Sequence, residues 1–199
     1  MPQPYFTPWK QPRFNGTLIL GESCPKGNQT QGITGWIDHL DADWPDKFIV
    51  KHVEVKRKQD DATFRALRQS FLYNGQVLDA FEFWEQHGFS NLVPRLVGGG
   101  ADKKLTVQDK RAVREEFPLI LDAVRPQRVL IASGWAVEVL KDKMDTGTYV
   151  KVGDNDWWEM RFGGIPVVGI YHPSGWKYDR HPYTLDRARH ATERLRNMK

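Results

Sequence analysis

The chain of 199 residues has one cysteine, Cys24. That excludes an internal disulfide framework, a four-cysteine zinc site and a cysteine-ligated iron-sulfur cluster, and no metal or cofactor is expected. No run of about 18 apolar residues occurs, so no membrane-spanning helix is expected. The opening residues, Met1-Pro-Gln-Pro-Tyr5, offer neither the basic start nor the apolar centre of a secretory signal, and the expected compartment is the cytoplasm. There is no internal repeat and no segment of linker composition. Residues 1–199 therefore read as a single domain, with residues 1–15, rich in proline and aromatic side chains, as an extended arm.

What is present points to a packed protein. Hydrophobic residues make up 40% of the chain and aromatic residues 12%, with eight tryptophans, which rules out a mostly disordered chain. Net charge is +4. Basic residues cluster at Lys51, Lys56, Arg57 and Lys58; at Arg65 and Arg68; at Lys103 and Lys104; and at Arg187, Arg189, Arg194 and Arg196. Each cluster fits a solvated helix face, and four in one small chain also fit a surface that meets phosphates.

Four short apolar runs read as buried strands: Gly16 to Leu20, Phe89 to Pro94, Arg128 to Gly134, and Pro166 to Tyr171. Between them lie helical patterns. One runs through Phe64, Leu67, Phe71 and Leu72, capped by Asp60-Asp61; a second spans Val77 to Gln86, with His87-Gly88 closing it. A third opens on a Thr106/Asp109 capping box and carries Val113, Phe117, Ile120, Leu121 and Val124 inward, with Pro118 expected to kink or restart it. Trp135 to Lys141 and Thr184 to Met198 complete the set. Tyr149 to Val152 and Trp157 to Phe162 read as a hairpin that partners the last strand. Residues 28–61 resist assignment, with Trp36, Ile37 and Leu40 on one helical turn and Phe48 to Val55 as a strand or irregular edge. The expected architecture is α/β, a three-layer α/β/α sandwich around a mainly parallel sheet of about four strands.

Ligands bind beyond the carboxyl ends of the strands in such a sheet. Three strand ends carry suitable chemistry. Gly21-Glu22-Ser23-Cys24-Pro25-Lys26-Gly27 exposes backbone N–H groups to an anion or carbonyl, or is an ordinary strand-to-helix turn. Asn91 is a polar residue inside an apolar run whose amide must be satisfied by backbone or by ligand. His172-Pro-Ser-Gly175 ends the last strand abruptly, and a histidine there is a candidate for chemistry as well as for a structural role. Arg95 to Lys104, with Gly98-Gly99-Gly100, reads as a basic loop suited to phosphate contact or as a surface excursion.

Taken in order, these features resemble the uracil-DNA glycosylase superfamily. They are a Gly-polar-x-Pro loop after the first strand (Gly21 to Pro25), Phe89-Ser-Asn91-Leu-Val-Pro, Pro126 to Gly134, and the late His172-Pro-Ser174. The resemblance covers about Thr17 to Lys199, apart from residues 28–75. It implies that the first loop lies over the sugar and the attacking water, with Gly21, Cys24 and Pro25 beside the base and Glu22 and Ser23 nearest the chemistry. It implies that Asn91 reads the Watson-Crick edge of a flipped uracil and that His172 stabilises the departing base. Ser174, Gly175, Trp176, Lys177 and Tyr178, with Arg95, Lys103 and Lys104, are then the DNA contacts, and the protein a monomer. Many family members carry Asp or Asn where this chain has Cys24, and neither Cys24 nor Ser23 is a strong base at neutral pH. Glu22 is the loop's only carboxylate. The alternatives are a base- or nucleic-acid-binding protein of the same fold that does not cut, or an α/β enzyme that acts on a small nucleotide.

Overall fold

Every residue of Thr17–Gly21 (β1) is buried, as a strand covered on both faces requires. The computed structural model describes residues 8–22, 24–25, 53, 62–72, 79–93, 96–97, 105–153, 155–173 and 185–198. Along these, β1 is followed by Cys24–Pro25 (β2), helix Ala62–Ser70 (α1), helix Ala80–Gln86 (α2), His87–Asn91 (β3) and Leu96–Val97 (β4). Then come helix Val107–Val124 (α3), Arg128–Ala132 (β5), helix Gly134–Leu140 (α4), Thr146–Val152 (β6), Asn155–Phe162 (β7), Ile165–Ile170 (β8) and helix Leu185–Asn197 (α5).

The sheet has six strands rather than about four, in the order β3-β1-β5-β8-β7-β6. Its first four members are parallel and correspond to the four apolar runs of the sequence. The β6-β7 hairpin joins antiparallel to β8 and widens the same sheet. A strand count based on long apolar runs omits these two because their side chains are mostly exposed or half-buried.

Alternation along the parallel strands divides the core into two layers. Ile19, Phe89, Leu130, Val168 and Ile170 face α1, α2 and α5, packing against Phe64, Leu67, Phe83, Trp84, Ala188 and Leu195. Leu18, Leu20, Val129, Ile131 and Val167 face α3 and α4, against Val113, Phe117, Ile120, Ala136 and Val137. Each Val, Leu, Ile or Phe side chain among these contributes about 1.5–3 kcal/mol on burial. The result is helices on both faces of a mixed sheet.

Several local expectations hold and others need correction. Thr106 caps α3 as a capping box: its Oγ1 accepts from the Asp109 N–H at 3.2 Å, and its own N–H donates to Asp109 Oδ2 at 2.6 Å. The helix runs unbroken through Pro118, because Phe117 before the missing backbone donor and Ile120, Leu121 and Val124 beyond it are buried and hold the helix on the sheet. Asp79 accepts from the Phe81 N–H to start α2. Gly88 does not close that helix. His87 already has extended backbone and begins β3, while Gly88 admits the N-terminal arm, since a Cβ there would lie 3.1 Å from Phe14. Val53, the one described residue of Phe48 to Val55, is helical and buried. The cap expected at Asp60-Asp61 lies outside the described residues.

The arm also does more than lie on the surface. Trp9 pairs antiparallel with Phe89 through Trp9 N–H to Phe89 O at 2.7 Å and Phe89 N–H to Trp9 O at 3.0 Å, and its indole donates to Trp84 O at 2.7 Å. This covers the β3 edge, which would otherwise offer open backbone groups. Among the described residues, no helix is long and apolar enough to cross a membrane.

Candidate functional site at the carboxyl edge of the sheet

In chain order the four parallel strands run 2-1-3-4, so the connections leave β1 in opposite directions and a crevice is expected between β1 and β5. The residues at the ends of these strands meet there. Gly21 ends β1 in register with Asn91 at the end of β3, and Ala132 ends β5 in register with Ile170 at the end of β8. His172 follows two residues beyond Ile170. By strand spacing the edge from β3 to β8 spans about 14 Å, wide enough to seat a planar base over its centre.

At the β1-β3 side the glycine is required. A Cβ on Gly21 would overlap Asn91 Oδ1 and lie 3.2 Å from the Phe89 ring, so the Asn91 carboxamide lies directly over the Gly21 backbone. Asn91 is buried, at 4% exposure. The two chains then leave the sheet together: Leu92 N–H donates to Gly21 O at 3.0 Å and Val93 N–H to Glu22 O at 2.9 Å. The first loop is therefore not a tight turn at its start, for Cys24 and Pro25 are extended and pair in parallel with Leu96 and Val97.

At the β1-β5 crevice sits Glu22. Its Oε2 accepts from the Ser133 hydroxyl at 2.5 Å, and Ser133 Oγ in turn accepts from the Ala136 N–H at 3.0 Å as the N-cap of α4. The fully buried Ser133 thus ties the loop carboxylate to a helix N-terminus, where negative charge is favoured. One carboxylate oxygen remains for another donor. The sequence pattern marked Ser133-Gly134 only as the turn after a strand; its position beyond a parallel strand next to β1 was the signal that it belongs with Glu22.

On the β8 side, Tyr171 lies against Gly134, where a Cβ would be 3.2 Å from its ring, and against Trp158, with ring centroids 5.1 Å apart. Tyr149 continues this aromatic wall, its ring 5.3 Å from Trp158, and its hydroxyl bonds to Asp156. The Asp156 carboxylate, accepting that proton, and to a lesser extent burial and Tyr171 push the Tyr149 phenol above its ordinary range. These aromatics come from the hairpin, and their place beside the last strand end depends on pairing that periodicity does not reveal.

Of the residues singled out from the sequence, Gly21, Glu22, Asn91 and His172 come to this edge. Cys24 and Pro25 follow as β2. Ser23, Arg95, Lys103, Lys104, Ser174, Gly175, Trp176, Lys177 and Tyr178 lie outside the described residues. The basic cluster of the last helix is largely matched internally: Arg187 faces Asp156 at 3.5 Å, Arg189 faces Asp186 at 2.9 Å and Arg194 faces Glu159 at 2.8 Å. Among the described residues no three metal-ligating side chains come together. The sequence matches no protein-family model and no curated protein.

Proposed function

We propose that the chain is a DNA N-glycosylase of the uracil-DNA glycosylase type, hydrolysing the bond between deoxyribose and uracil or a related deaminated base after the base is flipped from the stack. The observation that carries this reading is the strand order, which gathers Asn91, the Glu22-Ser133 pair and the approach to His172 along one carboxyl edge. Asn91 offers a donor and an acceptor that match uracil O4 and N3–H, whereas the exocyclic amine of cytosine is mismatched. Water attacks C1′ of the sugar as the C–N bond breaks and its electron pair leaves with the base. His172 donates to O2 of the departing anion. Glu22, steadied by Ser133, orients the water with its second oxygen, and the proton the water loses on forming the C1′–O bond goes on to the departing base anion. Ser174 to Tyr178, Arg95, Lys103 and Lys104 hold the DNA.

Incubation with single- and double-stranded oligonucleotides carrying one uracil, followed by alkaline cleavage of abasic sites, tests this. The expected result is strand scission that falls about 100-fold or more in His172→Ala and in Asn91→Ala, the scale of removing one stabilising donor. One observation favours a second reading, a base-binding protein that does not cut: Ser133 already engages one oxygen of the first loop's carboxylate. Specific binding of uracil-containing DNA with no scission across uracil, hypoxanthine and xanthine would establish that reading instead.

A further inference from the structure

The two outer strands of the sheet are finished differently. β3 is closed by the chain itself, with Trp9 paired to Phe89. β6 ends the sheet on the other side, and among the described residues no backbone hydrogen bond reaches its outer edge. That edge is long: seven residues, Thr146 to Val152, present about 24 Å of open N–H and C=O groups. Six of the seven are exposed, and Tyr149 and Val152 are 48% and 60% exposed although large and apolar. The devices that blunt such an edge are sparse here. There is no proline, no bulge in the register with β7, and one charge, Lys151. Thr146, Thr148, Tyr149, Val150 and Val152 are branched or aromatic, the residue types that suit a further strand.

The strand is complementary to itself. An antiparallel copy, related by a two-fold axis through Tyr149 perpendicular to the sheet, pairs all seven residues and keeps every side chain on its own face. Thr146 then lies opposite Val152 of the copy, Thr148 opposite Val150, and Tyr149 opposite its own counterpart, pairs of the kind that stabilise sheets. Lys151 falls opposite Gly147, which has no side chain to obstruct the lysine stem. The two lysines stand four positions apart, about 13 Å along the strand, whereas a parallel in-register pairing would set each against its like. With the β3 edge closed, each chain has one such edge to offer, so pairing stops at two copies. Seven paired residues a side make a small interface, which fits a concentration-dependent dimer and not an obligate one.

We infer that β6 pairs antiparallel with β6 of a second copy of this chain, joining the two sheets into one, in place of the monomer that the family resemblance implies. β6 runs parallel to β8, so the two carboxyl edges face opposite ways and each candidate site stays open. The inference does not depend on the reaction at that edge. Sedimentation velocity of the full chain between about 1 and 200 μM tests it. A monomer that converts to a dimer and goes no further is expected. The double variant Thr146→Glu, Val152→Glu sets like charges opposite each other twice across the axis, and its association is expected to weaken about tenfold or more. The double variant Thr146→Glu, Val152→Lys sets opposite charges at the same places and is expected to restore it. Both positions are exposed, so neither variant disturbs a packed side chain. A monomer at every concentration, assembly beyond two copies, association unchanged in the first variant, or a second variant as weak as the first would overturn the inference.

Discussion

The two ends of the same parallel strands carry opposite chemistry. At the carboxyl edge the polar groups are an amide over a glycine, a carboxylate held by a helix-capping serine, and a histidine past the last strand. At the amino edge there are two guanidinium groups and a buried neutral histidine. Chain direction sorts them. α4 begins at the carboxyl edge, where N–H groups and the positive end of the helix accept Glu22, while α2 ends at the amino edge, and cations are favoured near helix C-termini. Arg196, in the last turn of α5, also donates to Phe71 O at 3.4 Å just past the end of α1. One sheet therefore carries a carboxylate held at a helix N-terminus at one end and two guanidinium groups at the other.

The comparison breaks most visibly in activity. His172→Ala is expected to lower uracil excision about 100-fold, some 3 kcal/mol of transition-state stabilisation, while leaving the urea midpoint at pH 7 as in wild type; parallel excision kinetics and urea unfolding check this.

A pH titration of stability sharpens the amino edge. Burial, reinforced by Arg196 and Arg128 and opposed by the Phe83 carbonyl, lowers the His87 pKa from 6.5 to about 4. Because the folded value lies below the unfolded one, the neutral ring stabilises the fold fully above pH 6.5, and that contribution is lost as pH falls from 6.5 to 4. The loss amounts to about 3 kcal/mol. Urea unfolding at pH 7 and at pH 4 should show this drop in wild type and a smaller one in His87→Gln.

Gly21→Ala strikes the carboxyl edge directly. The added methyl overlaps Asn91 Oδ1, and the expected destabilisation is about 1–3 kcal/mol with loss of excision, measured by urea unfolding and oligonucleotide cleavage. Ser133→Ala removes the α4 cap and the Glu22 partner together. It is expected to cost about 1–2 kcal/mol in the same unfolding assay and to slow excision less than Gly21→Ala does.

The sequence makes some of these features legible and hides others for physical reasons. The four parallel strands announce themselves because burial on both faces demands continuous apolar runs such as Leu18-Ile-Leu20 and Val129-Leu-Ile131. The Thr106 cap is equally plain, since the capping box is a local interaction between residues three apart. Pro118 misleads because a local rule is overridden by the packing of Phe117 and Ile120. The Glu22-Ser133 bond joins residues 111 positions apart, and only the β1-β5 pairing brings them together. The amino-edge grouping is hidden for the same reason: Thr17, His87 and Arg128 are unremarkable alone and become neighbours through strand register.

The most direct measurement is the rate of uracil release from a single-stranded oligonucleotide by the full chain, with His172→Ala and Asn91→Ala alongside. Release by the wild type, slowed about 100-fold in each variant, is the predicted result. No release by the wild type, or equal release by all three folded proteins, would contradict a base-excision site at the carboxyl edge.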